Sequence, residues 1–344
     1  MSSVTGRIKE IKQPYGGYIR PSQFEEIIYN DGKVLGEENV HASVIGMAVD
    51  YLTRFMMGAT IDEAFKISKK GYEFRVLKGG KNIQKKDKKK NIDIDSLLKH
   101  ISGLDNESIT AACKAVTYDV WYRNPMAAIF AKGAEETNPD KSTINNIRIM
   151  VERSIAFWGK YGPITVDGFD FEPNGYTETV DTGDGDYLTK DTMWDFKVSR
   201  QKPTSKHTLQ LLMYWIMGQH SGKEEFKSIK KLGFFNPRRN TVYIFPVELI
   251  SEKTIRTIED EVICYKRSLC NRITITNNYL SHKDLTRWLR WRRRPHDHSP
   301  IGQQGRDLGG AAQCKLPTSG IKPQEHRKSP VLFCLLACEL GPLA

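Results

Sequence analysis

The spacing of apolar residues changes near residue 163, from a helical period to that of strands. Over residues 40–57 they fall at Val44, Ile45, Ala48, Val49, Leu52, Phe55 and Met56, the spacing of one helix face. Gly58 ends this helix. Thr60 with Glu63 makes a capping box for a second helix to about Lys70. Residues 95–101, 107–121 and 145–161 read as further helices, with Pro125 and Pro139 in their connections. Upstream, residues 1–37 carry Gly16, Gly17, Pro21 and a short amphipathic stretch over 24–29, which reads as an N-terminal arm or small cap.

Beyond Gly162-Pro163, residues 164–166, 183–188 and 193–198 read as three strands, the last two joined by a turn at Thr189-Lys190-Asp191-Thr192. Thr204 or Ser205 caps a helix over 207–217 that Gly218 stops. Strands at 232–235 and 241–247 and a charged helix over 252–264 follow. A mixed sheet flanked by helices buries such faces, so the class is α/β with a helical N-terminal region. The division expected is an arm (1–37), a mainly helical part (38–160) with a basic linker (78–91), a core (161–284) and a tail (285–344). The tail is rich in Arg, Gly and Pro without periodicity, and reads as unstructured or non-native-like.

With 39% hydrophobic residues among 344, the chain supports a sizeable core. Its formal net charge of +11 points to a polyanionic partner and is silent about fold. Six cysteines stand without a CxxC pair, and no apolar stretch at the N-terminus reads as a signal peptide. The longest apolar run, residues 331–338, is too short to span a bilayer. The expectation is a reduced intracellular protein, cytoplasmic or nucleoid-associated, with no membrane partner and no disulfide framework.

The chemistry concentrates between Gly183 and Tyr214. Asp186 follows Gly183-Asp184-Gly185 at the start of one strand, and Asp195 lies in the next, across the turn. Paired antiparallel, the two acids stand nearly opposite, within reach of one divalent ion. Strand alternation puts Asp195 and Lys197 on one face and Trp194, Phe196 and Val198 on the other. An acid and a lysine on an otherwise apolar strand suit phosphodiester hydrolysis. Carboxylates hold Mg²⁺, with Mn²⁺ as a substitute, and the lysine assists the water or the developing charge. The carbonyl of Phe196 is a further candidate ligand. Gln210 and Tyr214, four apart on a helix, share a face and can brace the site. Asp50, in the otherwise apolar first helix, is a candidate outer ligand. Lys85, Lys86, Lys88, Lys89 and Lys90, with Arg200 and Lys206, are candidates for contact with a nucleic-acid backbone. Alone, DxK is a weak signal that a surface ion pair explains, and the charge run also reads as a solvated linker.

Together, Gly183-Asp184-Gly185-Asp186, Trp194-Asp195-Phe196-Lys197 and Gln210-Leu211-Leu212-Met213-Tyr214 resemble the GxxD, DxK and QxxxY motifs of the PD-(D/E)XK nuclease superfamily. The RecB-like and Cas4-like exonuclease branch is the nearest. The resemblance covers roughly residues 160–265 and the helix at 40–57. It implies a restriction-endonuclease-like sheet, metal binding by Asp186 and Asp195, water assistance by Lys197 and support from Gln210 and Tyr214. Where that branch has a GxxxH histidine ligand, Gly46 is here followed by Asp50. The four-cysteine cluster of Cas4-like members has no match, so no iron–sulfur cluster is expected.

The leading expectation is a Mg²⁺-dependent deoxyribonuclease, exo- or endonucleolytic, in DNA processing, repair or defence, with RNA as an alternative substrate. It fits a phage or mobile-element setting. No P-loop is present, so a helicase or another processing subunit would have to supply unwinding. The competing readings are a catalytically silent nucleic-acid-binding or scaffolding protein with the same fold, and a phosphohydrolase of small substrates.

Overall fold

Strands read from alternation pair, in the computed structural model, into one six-stranded mixed sheet. The structure describes residues 2–78 and 92–265. Lys85, Lys86, Lys88, Lys89 and Lys90, most of the linker and the whole of 285–344 lie outside the described residues.

The N-terminal part holds β1 (Ser2–Ser3), α1 (Val4–Glu10), β2 (Glu25–Ile28), α2 (Ala42–Met56), α3 (Ile61–Ala64) and α4 (Lys66–Glu73). Next come α5 (Ile94–Leu98), α6 (Asn106–Ala115), α7 (Asp119–Arg123), α8 (Pro125–Ala128) and α9 (Lys141–Tyr161). The remainder is β3 (Val166–Phe169), β4 (Val180–Thr182), β5 (Gly185–Leu188) and β6 (Thr192–Phe196), followed by α10 (Ser205–Ser221) and α11 (Glu224–Lys227). Strands β7 (Lys231–Asn236) and β8 (Thr241–Pro246), with α12 (Glu252–Thr257), end it. The sheet order is β2-β8-β7-β6-β5-β3, antiparallel throughout except for the parallel β6–β7 pair.

Each face of this sheet is buried under one long helix. Leu188, Met193, Leu232, Phe234 and Phe245 pack with Leu209, Leu212, Met213 and Ile216 of α10. On the other face Tyr187, Trp194, Phe196, Phe235 and Val242 meet Phe157 and Trp158 of α9. Phe157 stacks on Phe235 at 4.2 Å and stands edge-on to Trp194 at 4.9 Å. Such aromatic pairs add to plain area burial and lock α9 to the middle strands. The helical part has its own core, in which Val49 and Leu52 of α2 pack with Ile109, Ala112, Ile147 and Val151. Inside it Asp119 is fully buried and satisfied, accepting hydrogen bonds from Tyr51 Oη at 2.5 Å and Ser68 Oγ at 2.6 Å.

Several boundaries differ from the pattern, each for a visible reason. The capping box forms, with Thr60 N–H donating to Glu63 Oε2 at 2.9 Å. The helix it opens, however, breaks at Phe65 and resumes to Glu73. Helix α9 begins at Lys141 because the Asp140 carboxylate accepts from Thr143 N–H at 2.7 Å. Helix α10 runs through Gly218 and ends before Gly222, whose φ of 82° favours glycine. Gly218 is needed for packing instead: a Cβ there would lie 2.3 Å from the buried Phe226 ring. The segment read as an arm supplies an edge strand, β2 on β8, and a second small sheet in which β1 pairs parallel with β4. Strand 164–166 is displaced to Val166–Phe169. Among the described cysteines, Cys113 is a free buried thiol. Among the described residues, no helix is long and apolar enough to cross a membrane.

Candidate active site

Strands β5 and β6 pair with Tyr187 opposite Trp194 and Leu188 opposite Met193, so one further step of the register faces Asp186 with Asp195. Both carboxylates are buried, at 1% and 2% exposure, where an ionised group without compensation is costly. Asp186 Oδ2 accepts from the Phe196 backbone N–H at 2.8 Å, while its Oδ1 makes no hydrogen bond. Lys197 Nζ donates to Asp195 Oδ1 at 3.0 Å and lies 2.9 Å from Oδ2. Burial, then the neighbouring Asp195 charge, hold the Asp186 carboxyl well above the usual range. Burial also raises Asp195, with the Lys197 ammonium opposing it.

The glycines of Gly183-Asp184-Gly185-Asp186 have packing reasons. A Cβ on Gly183 would stand 2.6 Å from a Val4 methyl of α1, and one on Gly185 would enter the Phe169 ring at 2.0 Å. Helix α1 and strand β3 can therefore close over the strand that carries Asp186. From α10, Gln210 Oε1 accepts from Lys197 Nζ at 3.2 Å, and Gln210 Nε2 donates to Tyr214 Oη at 3.0 Å. One rotation of a buried helix thus fixes the lysine head between a carboxylate and an amide.

Asp186, Asp195, Phe196, Lys197, Gln210 and Tyr214 are brought together. Asp50 adjoins them, close enough for its charge to bear on Asp186. Its carboxylate is engaged, however: Arg54 Nε lies 3.2 Å from both oxygens, and Tyr187 Oη donates to Oδ1 at 2.7 Å. Arg54 also pairs with Asp167 of β3 and covers the Tyr187 ring at 4.7 Å, so it ties α2 to the sheet. Arg200 is exposed, 3.8 Å from both Glu37 and Glu38. Lys206 is exposed in the first turn of α10.

Three features escape the sequence pattern. Arg54 could have been found as the i+4 partner of Asp50. Asp184 is buried two residues before Asp186, and its charge bears on Arg123 of α7. His207, on the Gln210 face of α10, has its pKa lowered to about 4 by burial, then by the Lys197 and Lys206 charges.

The donor set suits a hard divalent cation: two buried carboxylates facing one another, with Asp186 Oδ1 outside any hydrogen bond and Asp195 Oδ2 paired with the Lys197 ammonium at 2.9 Å. Among the described residues, no group of three or more His, Cys, Asp or Glu converges as a metal cluster. Any ion held here would therefore rest on the two acids, a backbone oxygen and water. Compared with protein families, curated proteins and solved structures, the chain matches none.

Proposed function

We propose that this chain is a metal-dependent nuclease of the PD-(D/E)XK type, with a restriction-endonuclease-like sheet, that hydrolyses phosphodiester bonds of DNA. The observation carrying this reading is the buried, facing pair Asp186 and Asp195, with Asp186 Oδ1 outside any hydrogen bond and Lys197 paired to Asp195. Lys197 pairs with Asp195 and leaves the second buried carboxylate, Asp186, to be balanced, which a divalent cation between the two acids would do.

Asp186, Asp195 and the Phe196 carbonyl would hold Mg²⁺, or Mn²⁺ in its place. Such an ion supplies charge stabilisation at the phosphoryl oxygens and lowers the pKa of a bound water. Lys197, held by Asp195 and Gln210, presents its ammonium to the attacking water or to charge developing on the phosphoryl group. Tyr214 orients Gln210, and Gln210 limits the lysine to one position. In hydrolysis the water oxygen bonds to phosphorus and loses a proton to solvent, while the bond to the leaving sugar oxygen breaks and that oxygen takes up a proton from solvent water. Asp50, Arg54 and Tyr187 form the wall on the α2 side, making Asp50 a support for the acids in this arrangement. The net charge of +11 favours a polyanionic substrate. A role in DNA processing or defence, with a helicase supplied by another chain, follows from the same reading.

Incubating the purified chain with linear, circular and single-stranded DNA and with RNA, in Mg²⁺, Mn²⁺ or EDTA, tests it. The expected outcome is metal-dependent cleavage of DNA that Asp195→Ala abolishes. Cleavage surviving in Asp195→Ala sinks the assigned site, and binding without cleavage under every metal condition favours the silent scaffold. Circular against linear DNA separates endo- from exonucleolytic action.

A further inference from the structure

The helix that braces Lys197 carries a side chain that the proposed reaction leaves unused. His207 lies one turn before Gln210 and seven residues before Tyr214, so all three share a face of α10. Its Nδ1 accepts the Thr204 backbone N–H at 3.1 Å. A backbone N–H can only donate, so Nδ1 is the bare nitrogen and the ring hydrogen sits on Nε2. That Nε2–H has no hydrogen-bond partner among the described residues. The ring is partly exposed, so Nε2 is open to a ligand.

A helix-start residue needs only one acceptor, which Asn or Asp would supply. Imidazole adds a second nitrogen, and here it does so one helical turn before Gln210, the residue that accepts from Lys197. The ring also stays neutral at physiological pH, so it offers a hydrogen bond without adding a cation next to the lysine. Hydrogen bonds from neutral donors to phosphate oxygens position a nucleic-acid strand without reading its sequence.

We propose that His207 is a substrate-binding residue whose Nε2–H donates to a non-bridging oxygen of the nucleic-acid backbone beside the bond to be cut. This rests on the nuclease reading for its substrate, but its test can fail separately. Two variants separate the two ring nitrogens. His207→Asn keeps an acceptor where Nδ1 stands and removes the outer donor. His207→Gln returns an amide donor to about the reach of Nε2.

Anisotropy of a fluorescent DNA duplex in Ca²⁺, melting of each variant, and kcat and KM in Mg²⁺ are the readouts. His207→Asn is expected to melt with the parent, bind DNA about tenfold more weakly and raise KM with kcat little changed, the loss expected for one hydrogen bond to a charged group. His207→Gln is expected to recover most of the affinity. Parental affinity in His207→Asn overturns the proposal, as does equal loss of binding in both variants in step with lowered melting. A parent that binds DNA but cuts none with Mg²⁺ or Mn²⁺ refutes the nuclease reading, while the anisotropy still decides the His207 contact. A parent that neither binds nor cuts overturns both.

Discussion

At the scale of single residues, the proposed chemistry rests on two facing carboxylates and a lysine hydrogen-bonded to one of them. Asp186 and Asp195 are raised above the usual carboxylate range by burial and, for Asp186, by its neighbour. A raised acid favours the fold while protonated, so each loses stability as pH rises from about 4 through its folded value. A cation that binds only the ionised pair must displace those protons. Titration calorimetry with Mg²⁺ in buffers of different ionisation enthalpy should therefore show net proton release that shrinks as the pH is raised. Mg²⁺ binding with no proton release at any pH between 5 and 9 would remove the acids from the ion's shell. Tyr214→Phe takes away the oxygen that orients Gln210, one bond removed from Lys197. Its kcat should fall several-fold with KM unchanged, and an unaltered kcat would make that contact merely structural.

Helix α10 and the β5–β6 hairpin are the elements that turn these residues into a site. Period-2 alternation already separates Asp195 and Lys197 from Trp194 and Phe196, and the i,i+4 spacing already aligns Gln210 with Tyr214. What local spacing cannot show is that the helix runs past Gly218 to Ser221. Glycine marks a helix end or a close approach equally well, and only the Phe226 ring above it decides. Gly218→Ala should accordingly destabilise the protein by about 1–3 kcal/mol, since the fully buried Phe226 has no room to yield. Urea unfolding measures this, and a neutral or stabilising result would show that the ring is free to move. Gly183 teaches the same lesson: in sequence it is one member of the GxxD-like motif, and only the structure shows that Val4 of α1 occupies the space a side chain would need.

At the scale of the whole molecule, the N-terminal segment closes the structure at both ends of its architecture. β2 extends the main sheet beside β8, β1 pairs with β4, and Val4, Ile8 and Ile19 join the core under α10. Removing residues 1–30 should thus lower the melting temperature by well over 5 °C and expose the β8 edge to aggregation. A truncated chain with the parent's melting temperature would contradict that placement. Just after β2, Asp31 is clamped by Arg153 of α9, with Nε–Oδ2 at 2.7 Å and NH2–Oδ1 at 2.8 Å. The guanidinium also donates to the Pro237 and Lys33 carbonyls, tying the segment to the β7–β8 turn. The hydrogen bond from Arg153 lowers the Asp31 carboxyl to about 2. Its stabilisation is full above the unfolded value near 4 and is lost as pH falls toward 2. Asp31→Asn should cost about 1 kcal/mol above pH 5, discounted for partial exposure, and the gap to the parent should close as pH drops. A gap independent of pH would assign the loss to packing.

Sequence alone determined what depends on near neighbours. The change of period at residue 163, the strand faces around Asp195 and Lys197, the Gln210–Tyr214 spacing and the Thr60–Glu63 box all lie within one or two turns of chain. Tertiary structure decided whatever joins distant segments. It alone placed Asp50 under Arg54 and Tyr187, threaded the N-terminal strand into the sheet, set the Phe196 amide on Asp186 and brought Lys197 onto Gln210 of α10. The physical reason is that side-chain spacing reports which face of an element is buried. Which partner covers that face, and which charge lies across the gap, is settled only when the elements pack.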